Sequence, residues 1–522
     1  MKRWSFGPLQ WVLAGALVLT GLGAVILSTA FDTPATARTV GRNAPINAGA
    51  SQATDIRSNN SPTLVRNPTS ARNLVVTNRV DTPRFGCAQH ASFDGGATWT
   101  EARIPLPKGE EPKCFGPDAA FAPDGTLYVS FVTLKGRGNV PNAGWIARSE
   151  NGGRTFSKPV RTLGRLAFQV RLAVDPNDSR RVYQTWLQGS DIGFLKFAKP
   201  GNPIRVARSD DGGATWGSPT RVSSPARGRS IAPTPTVGSD GKLYVLYLDL
   251  RGDQLDYEGA HRGEGGPPYP GPFSLVLARS VDEGKTWAES VVDDRIVPID
   301  RFVVLFPPFP SIAVAPDGRV YAAFHDARLG DPDVLVWSLA KGSDDWGKAT
   351  RVNDTPKRDR TWQYLPQLAV APNGRLDITY YDRRADRDRD VMNHVSLQSS
   401  FDEGESFVSP LRLTSQPFSS RVGFGSKNNL PTLGSRLALV STDDRALAVW
   451  TDTRAGTLAT NKQDLARGVA AFSQPDRLSP AAEAGLRYGG IALMVLGLGV
   501  LAASLVGSRT GAAPSTRPPP AQ

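Results

Sequence analysis

The sequence predicts an all-β fold. It reads as a single β-propeller of four-stranded blades, seven by repeat count with six the alternative, carrying an N-terminal signal or membrane anchor and a C-terminal transmembrane helix. Three observations lead there: an eight-residue turn signature recurs along the chain, a second turn signature alternates with it, and both ends carry long apolar runs.

The first signature is Ser92-Phe93-Asp94-Gly95-Gly96-Ala97-Thr98-Trp99. It returns at 149–156 (SENGGRTF), 209–216 (SDDGGATW), 280–287 (SVDEGKTW) and 400–407 (SFDEGESF), with a decayed copy at Ser343-Asp344-Asp345-Trp346-Gly347. The pattern S-x-D-x-G-x-T-W makes physical sense as a turn. An Asp or Asn carboxylate or amide accepts from backbone N–H groups a few residues on, Gly supplies a left-handed conformation, and the terminal Trp or Phe is a large apolar plug.

Ahead of each copy lies an apolar strand, a Pro-Asp-Gly-like turn and a second strand. Examples are Ala122-Pro123-Asp124-Gly125, Gly238-Ser239-Asp240-Gly241, Ala315-Pro316-Asp317-Gly318 and Ala371-Pro372-Asn373-Gly374. Apolar residues alternate in period two on either side, as half-buried strands require. Each unit therefore reads strand A, tight turn, strand B, variable loop, strand C, S-x-D turn, strand D. Seven such units fall between 61 and 480. The last lacks an obvious strand D, and 38–47 is the candidate to supply it and close the ring, leaving no exposed sheet edge.

The ends set the compartment. Lys2 and Arg3 precede an apolar run over 11–30, with Ala35-Thr36-Ala37 a small-residue cleavage site beyond it. Residues 488–506 carry no charge and match the ~20 residues that span a bilayer. Cleaved or retained, the N-terminal segment leaves the middle of the chain outside, with the basic tails inside. The expected organisation is 1–31 signal peptide or anchor, 32–60 linker and ring-closing strand, 61–480 propeller, 488–506 transmembrane helix, and 507–522 cytoplasmic tail. The expected location is the cell membrane, with the propeller extracytoplasmic.

The two cysteines of an exported chain, Cys87 and Cys114, are expected to form a disulfide. Four scattered histidines and no cysteine cluster argue against a metal site, and no cofactor is implied. The formal charge of +12 comes from Lys and Arg interleaved with Asp and Glu, as in Arg383-Arg384-Ala385-Asp386-Arg387-Asp388. With no basic helix or stripe, nucleic acid is not an expected partner.

Five S-x-D turns on four-stranded units resemble the sialidase superfamily and its bacterial surface relatives with Asp-box, or BNR, repeats. The resemblance covers 61–480. It implies the fold more than the activity, because in that family these turns lie away from the active site. Sialidases usually have six blades, so a count of seven departs from them. Sialidases hold the sugar carboxylate with three arginines, attack with a tyrosine activated by a glutamate, and use an aspartate as acid/base. Their early Arg-Ile-Pro signature stands ahead of the first Asp box, whereas Arg103-Ile104-Pro105 follows it here, so that role is not carried over.

Strand direction places the tight turns on one rim and the long loops on the other, where function in such scaffolds resides. Four units end strand B with D-x-R: Asp249-Leu250-Arg251, Asp326-Ala327-Arg328, Asp382-Arg383-Arg384 and Asp452-Thr453-Arg454. These charges either pair between blades or form an anion-selective mouth. On the second reading Arg251, Arg328, Arg384 and Arg454, with Trp362, bind substrate. Tyr257, Glu258 and Asp256 (or Asp249) on the longest mouth loop are then the catalytic candidates. The apolar stretch 302–309 is core or a ligand platform. Three functions follow: binding of a glycan, an acidic sugar or a surface protein through the long-loop face; an exo-α-sialidase or related glycoside hydrolase using the same mouth; or an envelope assembly scaffold.

Overall fold

The computed structural model describes residues 8–30, 37–50, 52, 54–190, 202–253, 269–299, 309–388, 391–423, 433–473 and 480–509. They fall into two compact units, Arg38–Ala471 and the paired ends Met1–Ala37 with Phe472–Gln522.

The larger unit is a propeller of seven antiparallel blades, so the count of seven holds and that of six does not. Strands A to D of blade 1 are Asn59–Arg66, Leu74–Val80, Gly86–Ser92 and Thr100–Ala102, and blades 2 to 6 repeat the order. In blade 7, strands Ala438–Ser441, Arg445–Asp452 and Asp464–Phe472 are completed by Ala37–Pro45, which lies outermost beside Asp464–Phe472. First and last parts of the chain thus share one sheet, and the ring closes through main-chain pairing.

Four of the seven strands B are buried end to end: Leu74–Val80, Leu243–Asp249, Val320–Asp326 and Leu376–Asp382. A sheet covered on both faces by neighbouring blades leaves no solvated side, which explains their nearly continuous apolar runs. The S-x-D turns wedge the blades together. In the first, Ser92 Oγ donates to Asp94 Oδ1 (2.8 Å), Gly96 N–H donates to Ser92 Oγ (2.8 Å) and Thr98 N–H donates to Asp94 Oδ1 (2.9 Å). Gly96 sits at φ +89°, and a Cβ there would lie 2.8 Å from Leu447 of blade 7, so conformation and the blade-to-blade approach both demand glycine. The plug Trp99 packs into the apolar cluster shared by blades 7 and 1. Trp216 and Trp287 do the same one blade earlier than their own.

Cys87 and Cys114 form a disulfide, with Cα atoms 5.7 Å apart, joining strand C of blade 1 to strand A of blade 2. The smaller unit comprises two helices, α1 (Pro8–Ala30) and α2 (Pro480–Arg509). Each contains a stretch long and apolar enough to cross a membrane, Trp11–Ser28 and Ala484–Val506.

Candidate anion-binding site at the propeller axis

The innermost strands share a device that the turn signatures do not reveal. In five blades strand A carries a residue in the left-handed region: Ser61 (φ 53°), Gly116 (φ 57°), Gln169 (φ 54°), Ala232 (φ 57°) and Leu365 (φ 55°). Each coincides with a register shift against strand B, between Asn60 and Thr63, Phe115 and Asp118, Phe168 and Arg171, Ile231 and Thr234, and Tyr364 and Gln367. These are β-bulges, which re-aim the side chains that follow. A non-glycine residue held left-handed costs on the order of 1 kcal/mol.

Beyond the bulges, polar groups link blade to blade around the axis. Arg436, just before strand A of blade 7, donates from Nη2 to Thr63 Oγ1 of blade 1 (3.0 Å). Thr63 Oγ1 donates to Asp118 Oδ1 of blade 2 (2.8 Å), and Asp118 pairs with Arg171 of blade 3 (3.1 Å) while accepting from the Leu172 N–H (2.8 Å). Gln169 Oε1 accepts from Ala232 N–H of blade 4 (2.7 Å), Thr234 Oγ1 donates to the Pro310 carbonyl (3.0 Å), and Ser311 Oγ accepts from Leu368 N–H of blade 6 (3.0 Å).

The charge around this ring is lopsided. Arg79, at the end of strand B of blade 1, pairs with Asp81 at 2.6 Å, and Arg171 takes Asp118. Arg436, only 7% exposed, has no carboxylate partner among the described residues; its Nε and Nη2 donate to Thr63 and to the carbonyls of Pro62 (3.2 Å) and Pro117 (3.1 Å). Burial, then the neighbouring Arg171, and also Arg79, hold the Arg436 guanidinium well below its usual pKa, with Asp118 pulling the other way. An uncompensated cation in a low-dielectric site attracts an anion.

Above it opens a small pocket, a cavity of about 50 Å³, lined by Arg79, Phe115, Phe168, Gln169, Phe309 and Arg436 among others. It lies where strands A begin and strands B end, on the long-loop side. Phe309 faces two guanidinium groups, 5.4 Å from Arg171 and 5.8 Å from Arg436, and Phe115 lies 4.8 Å below Arg79. Among the described residues around the pocket two buried donors have no hydrogen-bond partner, Arg171 Nε and Gln169 Nε2, while Arg79 Nε is taken by Asp81. Guanidinium forks, spare N–H donors and aromatic walls suit a carboxylate carried on a partly apolar ring.

The D-x-R residues lie elsewhere on this face. In each motif the arginine N–H donates to the aspartate Oδ1: Arg251 to Asp249 (3.0 Å), Arg328 to Asp326 (2.6 Å), Arg384 to Asp382 (3.0 Å) and Arg454 to Asp452 (2.9 Å). Three side chains then reach the preceding blade or the loop leaving it. Arg328 pairs with Asp293 (2.8 Å), Arg384 with Asp354 (2.7 Å), and Arg454 donates to Ser415 (3.1 Å). Arg251 stays on its own blade, donating to Ser274 (2.9 Å) and lying 3.7 Å from Asp294. The repeat is a strand-ending turn whose arginines are drawn to carboxylates, and these four do not meet in one place. Trp362 stacks with Arg383 (4.7 Å), which is buried between Trp362 and Tyr364.

Tyr257, Glu258 and Asp256 lie outside the described residues, as does 302–308; Phe309, the end of that apolar stretch, is part of the axial pocket. A Tyr–Glu contact does occur, Tyr247 to Glu289, but inside the apolar cluster of blades 3 and 4. Burial and the Glu289 carboxylate push that phenol far above its ordinary pKa, so it stays protonated. No tyrosine lines the axial pocket among the described residues. The arginines that converge, Arg79, Arg171 and Arg436, were missed because they fall outside every repeat. The recurrent x-Pro-polar step opening strand A, as in Ser61-Pro62-Thr63, Gly116-Pro117-Asp118, Ala232-Pro233-Thr234 and Leu365-Pro366-Gln367, marks the axial bulges but not these arginines.

No family model matches the sequence, and neither does any curated relative. Among solved structures, a protein of unknown function from Dyadobacter fermentans matches at 15% identity over 84% of this chain and 99% of that one, TM-score 0.46. Hadza microbial sialidase Hz136 matches at 12% identity over 77% and 74%, TM-score 0.41. A Penicillium chrysogenum α-L-arabinanase, solved with arabinobiose, matches at 15% identity over 72% and 97%, TM-score 0.41. At these values none of them says what this chain binds.

Proposed function

We propose that this protein is a membrane-anchored, extracytoplasmic binder of acidic glycans, and that the axial pocket receives the sugar carboxylate. The observation that carries the reading is Arg436, a buried guanidinium without a carboxylate among the described residues, flanked by Arg171 and Arg79 beneath an aromatic wall. Among the described residues the pairing is three cations to two carboxylates, so one bound monoanion neutralises that set. Strained left-handed residues around its rim fit a site whose geometry is worth a stability cost. The two apolar helices support the anchor, and the disulfide supports an oxidising compartment.

Binding is favoured over hydrolysis because the described pocket holds arginines without a tyrosine nucleophile. The test uses the detergent-solubilised full chain on an array of sialylated, uronic-acid and neutral glycans, beside a fluorogenic sialoside. Retention of acidic glycans alone, weakening with salt, supports the proposal. Retention of neutral glycans equally well contradicts it, and turnover of the sialoside converts the binder into a hydrolase.

A further inference from the structure

Helices α1 and α2 meet along residues too small to be explained by lipid contact. On α1 the buried positions Ala14, Gly21 and Ser28 recur every seven residues, and on α2 so do Gly490, Gly497 and Ser504. The approach is backbone-close. A Cβ at Gly21 would lie 2.5 Å from the Gly490 carbonyl oxygen, one at Gly490 would lie 2.7 Å from the Gly21 carbonyl oxygen, and one at Gly497 would lie 2.9 Å from that of Ala14. The pairs 21 with 490 and 14 with 497 run in opposite directions, which fixes the helices as antiparallel. Ser28 and Ser504 satisfy their hydroxyls on their own helices, donating to Val25 (2.7 Å) and Val500 (2.8 Å), and so add no polar cost to the seam. Large side chains point the other way: Leu19 is 70% exposed, Leu496 60% and Leu498 57%.

Small residues at a seven-residue spacing on both partners let helix backbones touch, and in a bilayer such packing is what holds helices together. Removal of residues 1–30 as a signal peptide would strip α2 of the surface its glycines fit. We propose that α1 is retained in the mature protein and forms with α2 an antiparallel two-span hairpin, closed through Gly21, Gly490 and Gly497. This rests on the membrane reading above.

The full chain is expressed with an N-terminal epitope, and membranes are washed with alkaline carbonate. Because Cys87 and Cys114 are paired, introduced cysteines are the free thiols. Val18 and Met494 flank the seam, each beside a glycine of the opposite helix. Oxidation should cross-link the V18C/M494C chain within one molecule, leave L19C/L496C uncross-linked, and lose most of the V18C/M494C product when Gly21→Leu is added. Release of the chain by carbonate would defeat the membrane reading itself. A pelleted chain lacking the epitope, or equal cross-linking of both pairs, would overturn the hairpin alone.

Discussion

Arg436 of blade 7 donates to the Thr63 hydroxyl of blade 1, 3.0 Å away, across the seam where the ring closes. Thr63 in turn donates its hydroxyl hydrogen bond to Asp118, a carboxylate shared between that hydroxyl, a backbone N–H and Arg171. Closure of the ring and the charge of the pocket are therefore one arrangement. The seam places a guanidinium at the axis and supplies carbonyl oxygens to hold it, with no carboxylate counter-ion among the described residues.

The D-x-R arginines are expected to serve stability instead of binding. Arg328→Ala would strand Asp326, which is fully buried, and Asp293, which is nearly so. A loss of about 2 kcal/mol is expected, discounted from the usual cost of breaking a buried pair because Arg328 is partly exposed. Urea unfolding measures the loss, and affinity for acidic glycans should stay within twofold of wild type. A tenfold weaker affinity would move the site to the rim.

Reduction should weaken ligand binding before it unfolds the protein. Cys87 is the register partner of Arg79, and Cys114 adjoins Phe115, over which Arg79 lies. The bridge closes a 27-residue separation, a contribution of about 3 kcal/mol in the loop-entropy model. Cys87→Ser with Cys114→Ser should lower Tm and reduce acidic-glycan affinity several-fold at temperatures where the fold persists. Unchanged affinity would disconnect the disulfide from the pocket.

How much of this could be read from the sequence depends on what repeats. The S-x-D and DG turns recur because every blade needs them, so blade order, blade number and the faces were legible. The strand completing blade 7 could be located because the last unit lacks an obvious strand D in its sequence. The D-x-R motif was legible too, but repetition marked a strand-ending turn. The axial arginines do not repeat: Arg79 sits on a strand B, Arg171 follows a bulge, and Arg436 precedes the last strand A. Sequence spacing of 79, 171 and 436 gives no hint that circular closure brings them together.

Burial pushes the Asp464 carboxyl up to about 6, against the pull of Asn47 and Lys462. Its folded pKa stands above the unfolded value near 4, so between those values the folded state keeps a proton that the unfolded state has released. Stability must then fall as pH rises from about 4 to 6, by on the order of 2 kcal/mol from this group. Asp464→Asn should remove that slope, so its stability relative to wild type should rise between pH 4.5 and 7 in urea titrations. A constant difference would contradict the assignment.

The tight turns carry the opposite dependence. The Thr215 hydroxyl and N–H, with Ser209, hold Asp211 down to about 2, so its stabilising contribution is present above the unfolded carboxylate value and is lost as pH falls through about 2. Asp211→Asn should therefore destabilise more at pH 6 than at pH 2, read from thermal melts at both. Equal destabilisation would mean that the turn does not need the charge.

The most direct measurement is calorimetric titration of the detergent-solubilised full chain with N-acetylneuraminic acid and glucuronate, each beside its methyl ester. Wild type should bind the free acids and not the esters, with affinity falling as salt rises. Arg436→Met and Arg171→Met, both checked for native circular dichroism, should each lose at least tenfold, since a charge-assisted bidentate contact to carboxylate is removed. Esters binding as well as acids, or folded Arg436→Met binding as tightly as wild type, would contradict an anion site at the propeller axis.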